Sequence, residues 1–322
     1  MMNLSSRKGM LALAAPVLAV AVGLAAGQKT ASGAGAEEDK AALNERCASR
    51  LSIAFTGKSA VAAELASANP QAAVDAYLAS PDFQERFARF TNSKMNDDPG
   101  QNAEDDAAYH LSKYVLVNNK PWSDLFNGAY NVDLDAAKTN VVVKDDPNGL
   151  GYFRSRPWMV RYAGNELAGI KISTAYRIEN NIVGLTLVAS TNAPGADVSM
   201  TGRKAQPCTQ CHYDNWYGLD NVASILSKRV GLADKMTFGP QFAPEADLGG
   251  NKIHNDKELV DTLVNSDAFK FRTCRLAFNF LYGRDENKCE GTIFDKCMDE
   301  FSSKKTIQSA IAAVAKDPSF CQ

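Results

Sequence analysis

The residues with the clearest chemistry are two cysteines and a histidine within five positions, Cys208, Cys211 and His212. Two thiols three positions apart, followed at once by an imidazole, are typical of covalent haem attachment. Each thiol can add to one vinyl group of the porphyrin and form a thioether, and the imidazole beneath the ring can then ligate the iron. The pattern predicts one covalent haem c, anchored by Cys208 and Cys211 and ligated by His212.

Chance and two other kinds of site are the alternatives to this interpretation. Seven cysteines and three histidines in 322 residues would form the pattern by chance in about one such chain in 700. A zinc site of the usual type needs a second ligand pair at similar spacing, and the sequence has no other Cys-x-x-Cys or His-x-x-x-His. A thioredoxin-like redox pair follows a strand, whereas residues 200–207 have the composition of a loop.

The group on the far side of the iron decides what such a site can do. A second histidine gives a low-potential electron carrier, a methionine raises the potential, and an open position admits small ligands such as oxygen or peroxide. Each candidate also has an ordinary role, as a solvated or hydrogen-bonded histidine or as a methionine that fills the core. The candidates for the sixth ligand are His110, His254, Met200 and Met236.

The first 36 residues have the pattern of an export signal, and covalent haem is attached outside the bacterial cytoplasm. Two basic residues precede an apolar, alanine-rich run at 11–26, and small residues follow, with cleavage expected after Gly27 or Ala36. The alternative is a retained membrane anchor, but the run has 16 residues and a span needs about 20. We expect a periplasmic, extracellular or cell-surface protein with no stable membrane span after cleavage.

Charge narrows the choice of partner only slightly. Loss of Arg7, Lys8 and Lys29 with the signal changes the net charge from −2 to −5. A mildly acidic chain is not a dedicated nucleic-acid binder, because binding to phosphates needs an excess of basic charge. The charge is compatible with a basic redox partner, whose identity the sequence does not give.

Five cysteines lie outside the haem motif, and in an oxidising compartment they are expected to form disulfides. Four of them fall in the last fifty residues, so we expect at least one C-terminal bridge. One thiol is left over, and the sequence allows fifteen pairings. The five are Cys47, Cys274, Cys289, Cys297 and Cys321.

The elements that position the motif are mostly helices. Helix-start signals, each a capping residue followed by proline or an acid, occur at Ser80, Ser266 and Asp317. The helix that starts at Ser80 carries an aromatic stripe on one face, which predicts a core position. This stripe consists of Phe83, Phe87 and Phe90. Further helices are expected at 41–56, 61–66, 71–79, 122–128, 221–228, 256–264 and 306–315, and around Tyr109, His110 and Tyr114.

We expect a mainly α fold of irregular helical domains, with a small strand-containing segment at about 140–190 and the haem site on a loop. Strands or buried segments are expected at 141–143, 167–174 and 182–188, and loops at 92–106 and 236–255. The expected divisions are a signal and leader at 1–36, a helical domain at 37–139, a mixed segment with the haem motif at 140–235, and a helical, disulfide-containing domain at 236–322.

Three parts of the chain carry a resemblance to a known family. They are residues 51–57 with 77–87, residues 208–212 with 217–221, and residues 259–284. On these segments the chain resembles the secreted bacterial cytochrome c-associated proteins of the planctomycete and myxobacterial type, which combine domains of unknown function around a Cys-x-x-Cys-His motif. In that family an Asp-Pro pair usually follows the motif, where this chain has residues 213–216, and residues 140–200 match weakly. The resemblance implies export and haem binding, and it implies no particular activity.

These observations predict an exported mono-haem c-type cytochrome that transfers one electron at a time. One alternative is a haem-dependent oxidase or peroxidase with an open sixth position. Another is a cell-surface protein in which haem has a structural or sensory role. A chain of this length is large for a carrier of one haem, and the sequence shows no Ser-His-Asp set, phosphate loop or second metal cluster.

Overall fold

Helices dominate the part of the chain that the computed structural model describes, which is residues 34–100, 106–162, 172–187, 195–214, 217–226, 229–230, 237–238 and 241–322. The helices are α1 Ala34–Thr56, α2 Ala62–Leu65, α3 Val74–Ala79, α4 Pro81–Met95, α5 Ala107–Val117, α6 Asp124–Asn127, α7 Arg156–Arg161, α8 Ile172–Val183, α9 Thr209–His212, α10 Leu219–Ile225, α11 Asp256–Val264, α12 Asp267–Tyr282, α13 Gly291–Lys304 and α14 Ile307–Ala315. Residues 40–322 form one compact unit, which contains the haem motif.

The predicted helix starts are confirmed, and each is capped by the side chain of its own N-cap residue. The hydroxyl of Ser80 accepts a hydrogen bond from the backbone N–H of Phe83 at 3.2 Å, and α4 follows. The hydroxyl of Ser266 accepts from the N–H of Phe269 at 3.3 Å at the start of α12. At Asp317 the cap opens a short 3-10 turn, Pro318–Cys321. Such caps satisfy backbone donors that the first helical turn cannot pair internally.

The strands form three short antiparallel pairs. β1 Tyr130–Leu134 pairs with β2 Val141–Asp145, β3 Arg229–Val230 with β4 Thr237–Phe238, and β5 Ala246–Leu248 with β6 Asn251–Ile253. The prediction of a mainly α fold with a small strand segment is confirmed, and β2 contains the strand expected at 141–143. Residues 236–255 were expected as a loop, but they include the hairpin β5–β6, which turns at Gly249 and Gly250.

An aromatic cluster forms the centre of the N-terminal half of the core. The ring of Phe87 is fully buried and lies 5.6 Å from that of Phe83 and 5.8 Å from that of Phe90, between centroids. It also meets Trp122 at 5.8 Å and Phe280 of α12 at 5.0 Å. The aromatic stripe predicted from the sequence is therefore core, and it joins the N-terminal helices to α12.

Two segments were expected as strands or as buried segments, and the structure bears out burial but not strand. In the segment 167–174, Ile172 to Thr174 open the helix α8 with Thr174 buried, and residues 163–171 lie outside the described part. In the segment 182–188, Ile182 and Val183 close the same helix, and Ile182 and Leu185 are buried. The buried residues of α8 include Ala175, Ile178 and Ile182, spaced three and four apart, and that spacing is helical even though single windows are rich in β-branched residues.

The polar stretch 92–106 was expected as a surface loop, and residues 97–100 are one, but α4 extends into the stretch as far as Met95. Asn92 is buried, and its amide donates to Oδ1 of Asp106 at 2.8 Å. Asn96 is also buried and donates to the same atom at 3.0 Å. The buried amides of Asn92 and Asn96 thus belong to a hydrogen-bonded helix end, whereas residues 97–100 are exposed as a surface loop.

Two disulfides join the cysteines outside the motif. Cys274 of α12 bridges Cys297 of α13, which is the C-terminal bridge that the sequence predicted. Cys47 of α1 bridges Cys321 at the end of the chain. Cys289 is the spare thiol, and it is exposed.

The expected export signal falls largely on residues 1–33, which lie outside the described part of the chain. Met236 also lies outside the described part. Among the described helices, none has both the length and the apolar character that a membrane crossing needs.

Candidate haem-attachment site

The two motif cysteines and the histidine share one face of a single helical turn. Cys208 has helical backbone angles, and its carbonyl accepts hydrogen bonds from the N–H groups of Cys211 and His212 at 3.2 Å each. Side chains three and four positions apart lie on the same side of a helix. Both thiols are free of disulfides and partly exposed. The three groups that a covalent haem needs therefore face one way. The site was expected on a loop, and the structure places it on the short helix α9, which lies between loops.

A buried carboxylate, Asp220, lies beside the motif histidine and is within hydrogen-bond distance of three side chains. Its side chain is 2% exposed. Arg203, from the 3-10 turn Gly202–Lys204, donates to it from Nε and from Nη2, the latter at 2.8 Å to Oδ1. The hydroxyl of Tyr213 donates to Oδ1 at 3.2 Å. Burial, together with the Asp220 charge, raises the pKa of Tyr213, so the phenol stays protonated as the donor.

The third neighbour of Asp220 is the imidazole of His212. Nδ1 of His212 lies 2.6 Å from Oδ2 of Asp220, and the His212 side chain is 23% exposed. A carboxylate paired with arginine accepts hydrogen bonds and does not donate them, so the proton of the contact belongs to Nδ1. In a ring with its proton on Nδ1 alone, Nε2 carries the lone pair that a metal ion needs.

The turn between α9 and α10 brings this pair together. Gly218 has φ of 43°, in the left-handed region that favours glycine, and it directly precedes α10. The side-chain amide of Asn221 donates to the carbonyl of Tyr213 at 3.1 Å and closes the turn. Leu219 and Val222 are buried where α10 packs against α8 and β5. Asp220 is thus fixed by a helix whose other face belongs to the core.

Of the candidates for the sixth ligand that the structure describes, Met200 contacts this site through its backbone. Its carbonyl accepts a hydrogen bond from the Tyr213 hydroxyl at 3.2 Å, and its side chain packs partly buried against the core. Tyr213 also contacts Asp220, so Met200 and His212 belong to one network. Met236 lies outside the described residues.

The two histidine candidates have other surroundings. His110 lies on α5, which packs against α4, α6 and the hairpin β1–β2, and its ring meets that of Tyr109 at 4.9 Å. His254 is 53% exposed, and its Nδ1 lies 2.8 Å from Oε2 of Glu258. That hydrogen bond lowers the pKa of Glu258. His254 thus has a hydrogen-bonded carboxylate neighbour and His110 an aromatic one, while the haem motif packs against α10 and the turn Gly202–Lys204.

The donor set is the one that a covalent haem uses. It offers two free, partly exposed thiols and an imidazole whose Nδ1 is occupied and whose Nε2 has no hydrogen-bond partner among the described residues. Within those same residues, no three His, Cys, Asp or Glu side chains are grouped so that they could hold a metal ion.

Asp220 and Arg203 belong to the candidate site, and sequence reasoning missed them. Asp220 follows His212 by eight positions, and no motif spacing connects the two. Their contact depends on the left-handed Gly218 and on where α10 packs. The one local signal is Gly218 two positions before an acid at the start of a predicted helix, and it indicates a turn without giving its direction.

Comparisons with protein-family models, with curated proteins and with solved structures find no match to this chain.

Proposed function

We propose that this protein is an exported mono-haem c-type cytochrome that transfers one electron at a time. The observation that carries the proposal is the arrangement of Cys208, Cys211 and His212 on one helical face, with Nδ1 of His212 held by Asp220. A thiol pair alone would also suit redox exchange. The adjacent imidazole, oriented by a carboxylate and open at Nε2, favours ligation of iron.

The chain's own groups supply attachment and orientation. Each thiol adds across a vinyl double bond, so that an S–C bond forms and the thiol proton goes to the other vinyl carbon, with no oxidant consumed. Asp220 fixes the imidazole ring plane and its tautomer through Nδ1. When bound, haem supplies the ferric–ferrous couple for one-electron exchange. Because the motif cysteines are partly exposed, a partner protein can come close to this site.

Export is part of the proposal and has two supports besides the N-terminal pattern. The two disulfides are typical of an oxidising compartment. The resemblance to secreted cytochrome c-associated proteins also favours export. The redox partner of the proposal is a protein whose identity the chain does not reveal.

A haem oxidase or peroxidase is the second candidate, and the contact between His212 and Asp220 is compatible with it. A histidine ligand with a carboxylate on Nδ1 is a stronger donor to iron, which would suit activation of a bound small molecule as well as electron transfer. The candidates differ in the sixth position. A carrier has it filled, for example by Met200, whereas an enzyme leaves it open.

Absorption spectra of the purified, dithionite-reduced protein, with and without carbon monoxide, test the proposal. The protein is produced with haem-attachment machinery and exported. We expect sharp low-spin bands that carbon monoxide does not change. A shift on adding the gas would replace the carrier with the enzyme as the better function, and a colourless protein would contradict both.

Cysteine variants make the spectra specific to the motif. Replacing Cys208 and Cys211 together with serine is expected to abolish covalent haem. Cys289→Ser changes the exposed spare thiol and is the matched control, with haem content expected to equal that of the parent. Equal haem loss in the control and in the motif variant would contradict the assignment.

A further inference from the structure

We propose that Asp220 is a positioning residue that lowers the reduction potential of the haem through His212. This inference rests on the proposed function and adds that Asp220 controls the reduction potential of the haem. Its basis is geometric: Oδ2 of Asp220 lies 2.6 Å from Nδ1 of His212, and the Asp220 side chain is 2% exposed. A hydrogen bond to a buried carboxylate is stronger than one to a backbone carbonyl, because the acceptor carries a full charge in a site of low dielectric.

The direction of the effect follows from electron density on the imidazole. A proton shared between Nδ1 and a carboxylate leaves more negative charge on the ring, which makes Nε2 a stronger donor. A stronger donor stabilises ferric iron more than ferrous iron, so the potential falls. With Asp220 in place, the reduced haem should therefore release its electron more readily than it would without this hydrogen bond.

The neighbours of Asp220 keep this contact in place. Arg203 donates to both carboxylate oxygens, and its side chain is 12% exposed. Of the two carboxylate oxygens, Tyr213 donates to Oδ1, at 3.2 Å. The carboxylate is therefore held by two further side chains while Oδ2 faces His212. Arg203 carries a positive charge in the same place, so the hydrogen bond and the local charge must be separated by experiment.

Potentiometric titration of the haem-loaded protein tests the proposal. Asp220→Asn keeps the shape of the acceptor and removes its charge. At a fixed solution potential we expect the ratio of reduced to oxidised haem to rise roughly tenfold, the lower end of the effect of outer-shell partners. For a one-electron couple that is about 59 mV. The thioethers keep the haem attached in every variant, because their formation does not use Asp220.

Two further variants separate the hydrogen bond from charge and from folding. The double variant Arg203→Gln with Asp220→Asn removes one charge of each sign, so a rise in potential that persists there belongs to the hydrogen bond. Asp214→Asn is the matched control, since Asp214 is exposed and contacts Thr209 and not His212. We expect its potential to stay close to that of the parent. The EPR spectrum of the oxidised protein should change in both Asp220 variants and stay unchanged in the control.

The outcomes separate this inference from the proposed function. If the parent carries one covalent haem and its potential and EPR spectrum are the same in the Asp220 variants, the positioning role is refuted while the cytochrome stands. An equal shift in Asp214→Asn would refute it too, because general charge would then explain the change. If the parent carries no haem, the proposed function itself fails.

Discussion

Glu179 gives the sharpest prediction about stability. It lies on α8, the helix that packs against α10 of the candidate site, and it is fully buried. Neither carboxylate oxygen has a hydrogen-bond partner among the residues that the structure describes. Burial raises the pKa of Glu179 from 4.5 to about 9, because the charged form cannot be solvated. At pH 7 the folded protein holds a proton at Glu179 that the unfolded chain releases.

The sign and the size of the effect follow from this difference in bound protons. Between pH 4.5 and about 9 the folded state binds one proton more, so its stability falls by about 1.4 kcal/mol per pH unit. Below that window both states are protonated and the term is constant. From pH 4 to pH 7 the parent loses about 3 kcal/mol of stability at this position.

Glu179→Gln keeps the size of the side chain and removes its titration. Urea unfolding of parent and variant at pH 4, 5.5, 7 and 8.5 measures the difference. We expect the variant to gain about 3 kcal/mol on the parent from pH 4 to pH 7. The matched control is Glu300→Gln, the same change at an exposed pair with Lys304, which should alter stability by less than about 1 kcal/mol. Parallel pH profiles for the parent and Glu179→Gln would refute the reasoning.

Three other substitutions test the packing that supports the site, each by urea unfolding at pH 7. Phe87→Ala should cost about 4 kcal/mol, because it empties a fully buried ring position in the aromatic cluster; a loss below 1 kcal/mol would mean the ring is not core. Replacing Cys274 and Cys297 with serine should cost about 3 kcal/mol, and a reducing agent should destabilise the variant less than the parent, because the variant keeps only the Cys47–Cys321 bridge. Ser266→Ala should cost about 1 kcal/mol through loss of the α12 cap, whereas Ser266→Gly should cost only a few tenths; equal losses would contradict a capping role.

The sequence predicts most helices because their signals are local. A capping serine before an acid or proline depends on its next few neighbours, and Ser80 and Ser266 behave accordingly. The errors at α8 arose where windows of a few β-branched residues were judged apart from the longer helical spacing of Ala175, Ile178 and Ile182. That spacing becomes visible only over a full helix.

In the candidate site, too, the residues with a local signal could be predicted and those placed by packing could not. Cys208, Cys211 and His212 are adjacent, so their chemistry could be predicted from spacing alone. Asp220 and Arg203 reach His212 through a turn, a helix and a 3-10 segment whose relative positions are set by packing. The cysteine pairing was likewise undecided in sequence, since fifteen combinations are equal until α12 and α13 bring Cys274 to Cys297. Tertiary contacts have no local signal, and these are the features that the sequence could not predict.

The intact mass of the exported protein, taken after denaturation and acid extraction, tests the central claim most directly. Haem held by coordination alone is removed by this treatment, whereas haem held by thioethers at Cys208 and Cys211 stays on the polypeptide. The account predicts a coloured protein whose mass exceeds that of the bare chain by one haem, with the extra mass on the peptide that contains His212. A colourless protein with the mass of the bare polypeptide would contradict it.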